Sequence, residues 1–395
     1  MSSDGASVVD RADWRSLAGA SAALFLVAVA THWRSLWLDG ALGDERMFLA
    51  AWQAIARGAS PYGASVFNYP PPFAFGGHRL WETLGEHRTL VLLRLLALAG
   101  AGVVAAVATR PWLRPRPARW AGGLAIVALA SPIGAALGLG NIAPAVQGGA
   151  LAALVLAPSL PLVAGFLLGA GIVCKPLMAA CLPLLLAGPF TAPRDAEVTR
   201  DWRSLLRSWQ WLTAASAGLV ATVLLLACGV AATAEMLRLA SVPAPSSHDL
   251  ALTKIARSFG LTLPAGVVFV AVTAIAVLAA WRLRPSARGF LALATTASVL
   301  SLPIIWPHTL AITFPTQCLA LEKVFAERRA AAARSVWRTA LPLLVVAAML
   351  SIEGSAGGGG APADWPPALA GLVAAIPLAA LVFLCACVLW ERRAA

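Results

Sequence analysis

The sequence alternates between long apolar runs and short polar segments. Because about 20 apolar residues in helical form cross a bilayer core of roughly 30 Å, this pattern predicts about twelve membrane spans. Their approximate centres are residues 27, 98, 128, 150, 167, 182, 221, 272, 296, 313, 346 and 379. Prolines near 158–161 and 176 interrupt apolar sequence, so ten or eleven spans would also fit. The expected fold is an all-α, polytopic membrane helix bundle of 10–12 spans, forming one integral membrane domain over residues 1–395.

Basic residues cluster in the short segments between the apolar runs. All of these clusters fall on one side of the membrane if both termini are cytoplasmic, as the positive-inside rule favours. They lie at residues 110–119, 194–207, 282–288, 323–338 and 392–393. The other side then receives two extracytoplasmic loops, residues 39–87 and 233–263. We expect the first loop to fold partly as helices along the outer surface of a plasma (inner) membrane, with the active site on that side.

Composition supports the membrane assignment. Hydrophobic residues make up 59% of the chain and charged residues only 12%, whereas soluble domains carry about 25% charged residues. The net charge of +12 comes from clusters between spans rather than from one basic face, so no nucleic-acid partner is expected. Ala28-Val29-Ala30 resembles a signal-peptidase site, but the apolar pattern continues to Leu38, which favours a retained first helix.

The most polar and aromatic stretch is the segment from Asp39 to Phe75. A helix is predicted over Met47–Ala56, ended by Gly58, and three consecutive prolines from Pro70 stiffen the chain beyond it. The segment also carries acidic residues just beyond the first apolar run. Asp44 is the first candidate for a general base, with a solvated loop carboxylate as the plain alternative. Glu45 and Asp39 are weaker candidates.

Further polar residues stand at the ends of later apolar runs. His308 follows a Pro-Trp-Pro segment, Lys175 ends an apolar run, and Asn141 opens the fourth span, where a helix start offers N–H groups to an anion. Each also has a plain explanation: a satisfied histidine, a lysine reaching the interface, or an ordinary helix start. Lys254 and Arg257, one helical turn apart, form a second cationic patch or a solvated helix face. The histidines lack the spacing of a metal site, so neither a metal nor a cofactor is expected.

Together these motifs resemble glycosyltransferase family 87, the polyprenyl-phosphate-mannose-dependent mannosyltransferases of the GT-C fold. The resemblance extends across most of the chain. It rests on Asp44 before an Ala-rich helix, Gly58-Ala59-Ser60-Pro61-Tyr62, Tyr69-Pro70-Pro71, Gly138…Asn141, Lys175-Pro176 and Ser301-Leu302-Pro303…Trp306…His308. One position departs from the family pattern, because Leu139 stands where a glutamine is usual. This departure leaves the sugar and the acceptor open.

The resemblance implies a hexosyltransferase, mannosyl in type, that moves a sugar from a polyprenyl-phosphate donor to a lipid or glycan acceptor with inversion. Asp44 would be the base, while Lys175, His308 and Asn141 would converge on the donor phosphate. The expected substrate contacts are Glu45, Tyr62, Tyr69, Trp306, Lys254 and Arg257. On a shared helix Glu45 points about 100° from Asp44, so it should not replace Asp44 as the base.

Two other classes of protein remain as alternatives. A transporter or flippase of a polyprenyl-linked sugar would use the same groove and cations without needing a base. A structural membrane protein would leave the acidic, proline-rich first loop without a purpose.

Overall fold

A computed structural model describes residues 11–37, 40–63, 67, 69–109, 116–187, 208–240, 251–302, 305, 307–330 and 366–389. Within these ranges the secondary structure is helical and no strand is present. The all-α fold class is therefore confirmed for the part of the chain that the structure describes.

The helices are numbered in chain order. They are α1 (Arg11–Thr31), α2 (Trp33–Leu36), α3 (Gly43–Ala56), α4 (Pro71–Leu84), α5 (Glu86–Thr109), α6 (Arg116–Leu129), α7 (Ser131–Gly138), α8 (Ala143–Leu156), α9 (Pro161–Cys174), α10 (Cys181–Ala187), α11 (Trp209–Ala227), α12 (Val230–Ala240), α13 (Leu252–Ser258), α14 (Ala265–Leu283), α15 (Ala287–Leu300), a 3-10 helix (Pro307–Thr313), α16 (Phe314–Ala330) and α17 (Pro367–Leu389).

Several of these helices could cross a membrane, as the helices of a multi-pass membrane protein do. By length and apolar composition four qualify among the described residues, namely α5, α11, α14 and α17. A fifth is added if the bent pair formed by Gly122–Gly138 and α8 is one span. Helical structure lies at every predicted span centre within the described ranges, and the span predicted near residue 346 lies outside them. The count of ten to twelve stays a prediction, because α10, for example, has only 7 residues.

Helix α5 lies at the centre of the bundle and packs against α1 and α8, while α9 packs against α8 and α11. Glycines allow the closest of these approaches. A Cβ at Gly100 of α5 would lie 2.1 Å from the carbonyl oxygen of Pro144, and one at Gly148 would lie 2.6 Å from the carbonyl oxygen of Gly100. A Cβ at Gly165 of α9 would lie 2.6 Å from the carbonyl oxygen of Thr213 on α11. Small residues at such contacts are typical of helix packing in membranes.

Two helices form within the predicted first loop, and their boundaries follow local chemistry. Helix α3 begins at Gly43, earlier than the expected Met47, because Glu45 Oε2 accepts the Leu42 N–H at 2.7 Å and caps the first turn. It ends before Gly58, which has φ of 73° as expected for a residue that terminates a helix. Helix α4 begins with prolines in its first turn, where a missing N–H costs least. The position of both helices on the outer face stays a prediction.

Candidate functional site

Four polar side chains from distant parts of the chain meet in one cluster, which we call the Asp44 cluster: Asp44, Asn141, Lys175 and His308. Asn141 stands at its centre. Its Nδ2 donates a short hydrogen bond to Asp44 Oδ2 and lies 3.2 Å from His308 Nε2, while Lys175 Nζ donates to its Oδ1 at 3.0 Å. The expected convergence of Lys175 and His308 near Asn141 is confirmed, whereas a role in phosphate binding stays a prediction.

Each member of the cluster is positioned by the end of a helix. Asp44 lies in the first turn of α3, and its backbone N–H donates to the Leu139 carbonyl at 2.8 Å. Asn141 follows Gly140, whose φ of 68° turns the chain between α7 and α8. Lys175 ends α9, and His308 lies in the 3-10 helix before α16. Because α8 begins where α9 ends in this packing, their termini bring Asn141 and Lys175 together.

The start of α8 offers fewer N–H groups than the sequence suggested. Asn141 Oδ1 already accepts the Ala143 N–H at 2.7 Å, and Pro144 has none to give. The cation that the cluster offers to an anion is therefore a side chain, the Lys175 ammonium group. The Asn141 NH2 group is already directed at Asp44 and His308.

Electrostatics within the cluster are dominated by burial. Burial raises the pKa of Asp44 above its ordinary value, and nearby Lys175 and the Asn141 hydrogen bond partly offset that rise. Burial likewise lowers the pKa of Lys175 to about 8, with Asp44 opposing the shift. Each charge opposes the effect of burial on the other group, so Asp44 and Lys175 favour each other's charged form, as a general base and a phosphate-binding cation both require.

The hydrogen-bond directions also assign the tautomer of His308. Asn141 uses its oxygen for Lys175 and Ala143, so its NH2 group faces both Asp44 and His308. His308 Nε2 then accepts, which makes the imidazole neutral with its proton on Nδ1. Gln147 of α8 fixes the segment, because its Nε2 donates to the carbonyl oxygens of His308 and Thr309 at 3.2 and 3.1 Å.

An aromatic wall flanks the cluster. Tyr69 is buried with its hydroxyl 3.4 Å from Lys175 Nζ, and its ring contacts Phe48 of α3 edge-on with centroids 5.0 Å apart. Tyr62, also buried, donates from its hydroxyl to the Tyr69 carbonyl at 3.0 Å. Burial raises the pKa of Tyr69 well above its usual value, so its hydroxyl stays protonated. Of the two tyrosines expected at the substrate, Tyr69 therefore lies beside the cluster, and Tyr62 contacts it only through Tyr69.

The Glu45 carboxylate does not belong to the Asp44 cluster and lies in the core beside α5. It has 0% exposed area and forms a bidentate ion pair with Arg94 of α5, with Nε to Oε1 and Nη2 to Oε2 both at 2.8 Å. The expected divergence of Asp44 and Glu45 is present, since the two carboxylates face different partners. A substrate contact by Glu45 has no support here, because its carboxylate is already engaged by Arg94 and the Leu42 N–H.

The remaining candidates separate from the cluster or lie outside the described residues. Lys254 is half-buried and Arg257 exposed on α13, which packs against α14 and α17, helices that contribute no residue to the cluster. The structure gives them no assigned role. Trp306 and Asp39 lie outside the described residues.

Sequence reasoning missed Arg94 and Gln147. Both lie in apolar helices, are 5% and 0% exposed, and bond to elements of the site. A buried charged or amide side chain within an apolar run is itself a signal, because it is costly there unless it is paired. That signal would have singled out both residues.

The described residues contain no group of three His, Cys, Asp or Glu side chains placed to hold a metal ion. The fold and the Asp44 cluster together define a class: an all-helical protein with several apolar helices that could cross a membrane, and with a partly buried carboxylate–amide–lysine–histidine cluster at helix ends. No protein-family model matches this chain, and no curated protein matches it. The resemblance to family 87 therefore depends on the short motifs alone.

Proposed function

We propose that the protein is a membrane glycosyltransferase that moves a hexose, of the mannosyl type, from a polyprenyl-phosphate donor to a lipid or glycan acceptor. The observation that carries the proposal is the Asp44 cluster. A half-buried carboxylate with a raised pKa lies one amide away from a half-buried lysine and a buried, neutral histidine. A base beside a cation is the arrangement that an inverting transfer from a phosphate leaving group needs.

In the proposed reaction Asp44 takes the proton from the acceptor hydroxyl. The acceptor oxygen forms a bond to the anomeric carbon, and the bond from that carbon to the phosphate oxygen breaks with inversion. The electron pair leaves on polyprenyl phosphate, whose charge Lys175 stabilises. One carboxylate suffices, because a phosphate leaves without prior protonation, whereas the leaving group of a glycosidase must be protonated.

In this proposal Tyr69 and His308 support the charged residues of the cluster. Tyr69 packs against Lys175 and shields one side of its ammonium group, which strengthens the attraction of Lys175 for a phosphate. Neutral His308 holds the Asn141 amide in the orientation that serves both Asp44 and Lys175. The polyprenyl chain would lie along the apolar helices. The outer face of a plasma membrane and the ten to twelve spans belong to the same proposal.

The test is transfer by the purified protein in liposomes that contain a polyprenyl-phosphate mannose and a membrane-lipid extract. We expect a new mannosylated product with inverted anomeric configuration, formed about 10²–10⁴-fold more slowly by Asp44→Asn. Movement of the donor across the bilayer without transfer, unchanged in Asp44→Asn, would contradict the enzyme and favour the flippase. A chain that neither transfers nor moves any such donor would overturn both.

A further inference from the structure

Arg94 joins two backbone carbonyls and one side chain around the start of α3. Besides the two bonds to Glu45, its Nη1 donates to the Leu36 carbonyl at 3.3 Å and its Nη2 to the Gly40 carbonyl at 2.7 Å. A guanidinium group can do this because its five N–H donors are fixed in one plane. The chain before α3 and the first turn of α3 are thereby held to the central helix α5.

The same ion pair also touches the turn that carries Asn141. Gly140 packs directly on the Glu45 side chain, since a Cβ at Gly140 would lie 2.6 Å from Glu45 Cδ. On the other side of that turn, the Leu139 carbonyl accepts the Asp44 N–H. One narrow crevice is lined by Arg94, Gly140 and Asn141. The buried pair therefore lies directly behind the Asp44 cluster.

We propose that Glu45 and Arg94 are positioning residues for the proposed transfer, which this inference assumes. Their charged groups bind each other and the chain before α3, and the Glu45 charge adds to the effect of burial in raising the pKa of Asp44. Together they fix the first turn of α3 against the 139–141 turn, which sets the Asp44 carboxylate beside the Asn141 amide. A buried pair of this kind contributes little net stability compared with an apolar replacement, so geometry is the benefit that explains its presence here.

The test separates positioning from stability by removing both charges together. Arg94→Met alone leaves a buried carboxylate unpaired and should strongly destabilise the fold. The double variant Glu45→Gln/Arg94→Met leaves no buried charge, and its glutamine still offers an acceptor to the Leu42 N–H. We expect its Tm in detergent to lie well above that of Arg94→Met and somewhat below that of the parent, because the Leu36 and Gly40 carbonyls lose their donor. The kcat should stay at least tenfold low, and the KM for the donor should change little. Recovery of kcat together with Tm would overturn the proposal.

A second measurement reads the geometry without any activity. Gly43→Cys/Leu139→Cys places thiols across the contact between α3 and the turn, where Gly43 already faces Leu139. Mild oxidation should close this disulfide several-fold more slowly when Glu45→Gln/Arg94→Met is added, and equal rates would overturn the proposal. Each single-cysteine variant controls for the six native cysteines. The rate of disulfide closure can be measured even if the protein transfers no sugar, so it tests the positioning separately from the proposed function.

A matched control removes an exposed ion pair from the same region. Arg79 and Glu82 of α4 pair at 2.9 Å with side chains 81% and 43% exposed. We expect Arg79→Met/Glu82→Gln to leave Tm, kcat and the disulfide rate near those of the parent. A loss of kcat as large as that of the buried double variant would show that any ion pair near the site matters equally, and would overturn the specific role of Glu45 and Arg94.

Discussion

Replacing Asp44 by asparagine tests the base and its coupling to Lys175 in one variant. The new amide has the same shape as the carboxylate and can still accept the hydrogen bond from Asn141, so the cluster should keep its geometry. What is lost is the negative charge and the ability to take a proton. A general base contributes about 10²–10⁴-fold, which corresponds to about 2.7–5.4 kcal/mol of transition-state free energy. We expect kcat to fall by that factor.

The same substitution should also move the titration of Lys175. Burial lowers the pKa of Lys175 to about 8, and the Asp44 charge is what keeps it from falling further. Without that charge the pKa of Lys175 drops, so Lys175 loses its proton at a lower pH. Binding of the anionic donor depends on this charge and not on the base. The alkaline limit of donor binding should therefore lie near pH 8 in the parent and at lower pH in Asp44→Asn.

Donor binding to the purified protein, measured between pH 6 and 9, checks this shift. At a pH below the alkaline limits of both proteins Lys175 is protonated in each, so kcat measured there isolates the loss of the base. For kcat/KM, the acid limit should lie above pH 3.8, because the pKa of Asp44 is raised from that value and the base acts only when deprotonated. Glu82→Gln, a half-exposed carboxylate in α4, is the control for a generic loss of charge. Near-normal turnover by Asp44→Asn, or an unmoved alkaline limit, would refute the reasoning.

Three further substitutions test the packing that supports the site. Gly140→Ala puts a side chain at a φ of 68° and into Glu45, so it should lower the free energy of unfolding by more than about 1 kcal/mol and reduce turnover. Gly100→Ala should cost about 1–3 kcal/mol, because its Cβ would meet a carbonyl of α8, whereas Gly149→Ala, with open space around it, should be neutral or slightly stabilising. Tyr62→Phe should cost about 0.5–1.5 kcal/mol through the lost buried hydrogen bond. Thermal unfolding in detergent measures all of these, and an unchanged Tm for Gly100→Ala would contradict the α5–α8 contact.

The sequence was a good guide wherever a residue type constrains the backbone by itself. Gly58 predicted the end of α3, and the prolines from Pro70 predicted a stiff segment, which forms the start of α4. The apolar runs predicted helices at the positions where the described residues have them. The start of α3 was placed too late, because its cap is Glu45, a residue that sequence reasoning had assigned to substrate.

The sequence predicted which residues form the Asp44 cluster, but it did not predict which of their atoms pair. Lys175, His308 and Asn141 were singled out because polar groups at the ends of apolar runs need partners, and the structure gives them one another. Which atoms pair could not be foreseen, because it depends on how α8 and α9 pack. The loss of the α8 start as an anion site is an example, since it follows from a single bond between Asn141 Oδ1 and the Ala143 N–H.

The relation between Asp44 and Glu45 links these observations. Two adjacent carboxylates begin the same helix, yet one is paired with a guanidinium group in the core and the other with an amide that also binds a lysine. The helical rotation of about 100° per residue separates them, so a single turn of α3 carries one acid that anchors it and another that faces the cluster. Because Arg94 and the Leu42 N–H hold Glu45 in place, the backbone of the first turn is fixed, and the adjacent Asp44 is fixed with it. These two roles require the Asp-Glu pair to stand at the start of the helix. Further along α3, neither the Leu42 N–H nor the 139–141 turn would be within reach.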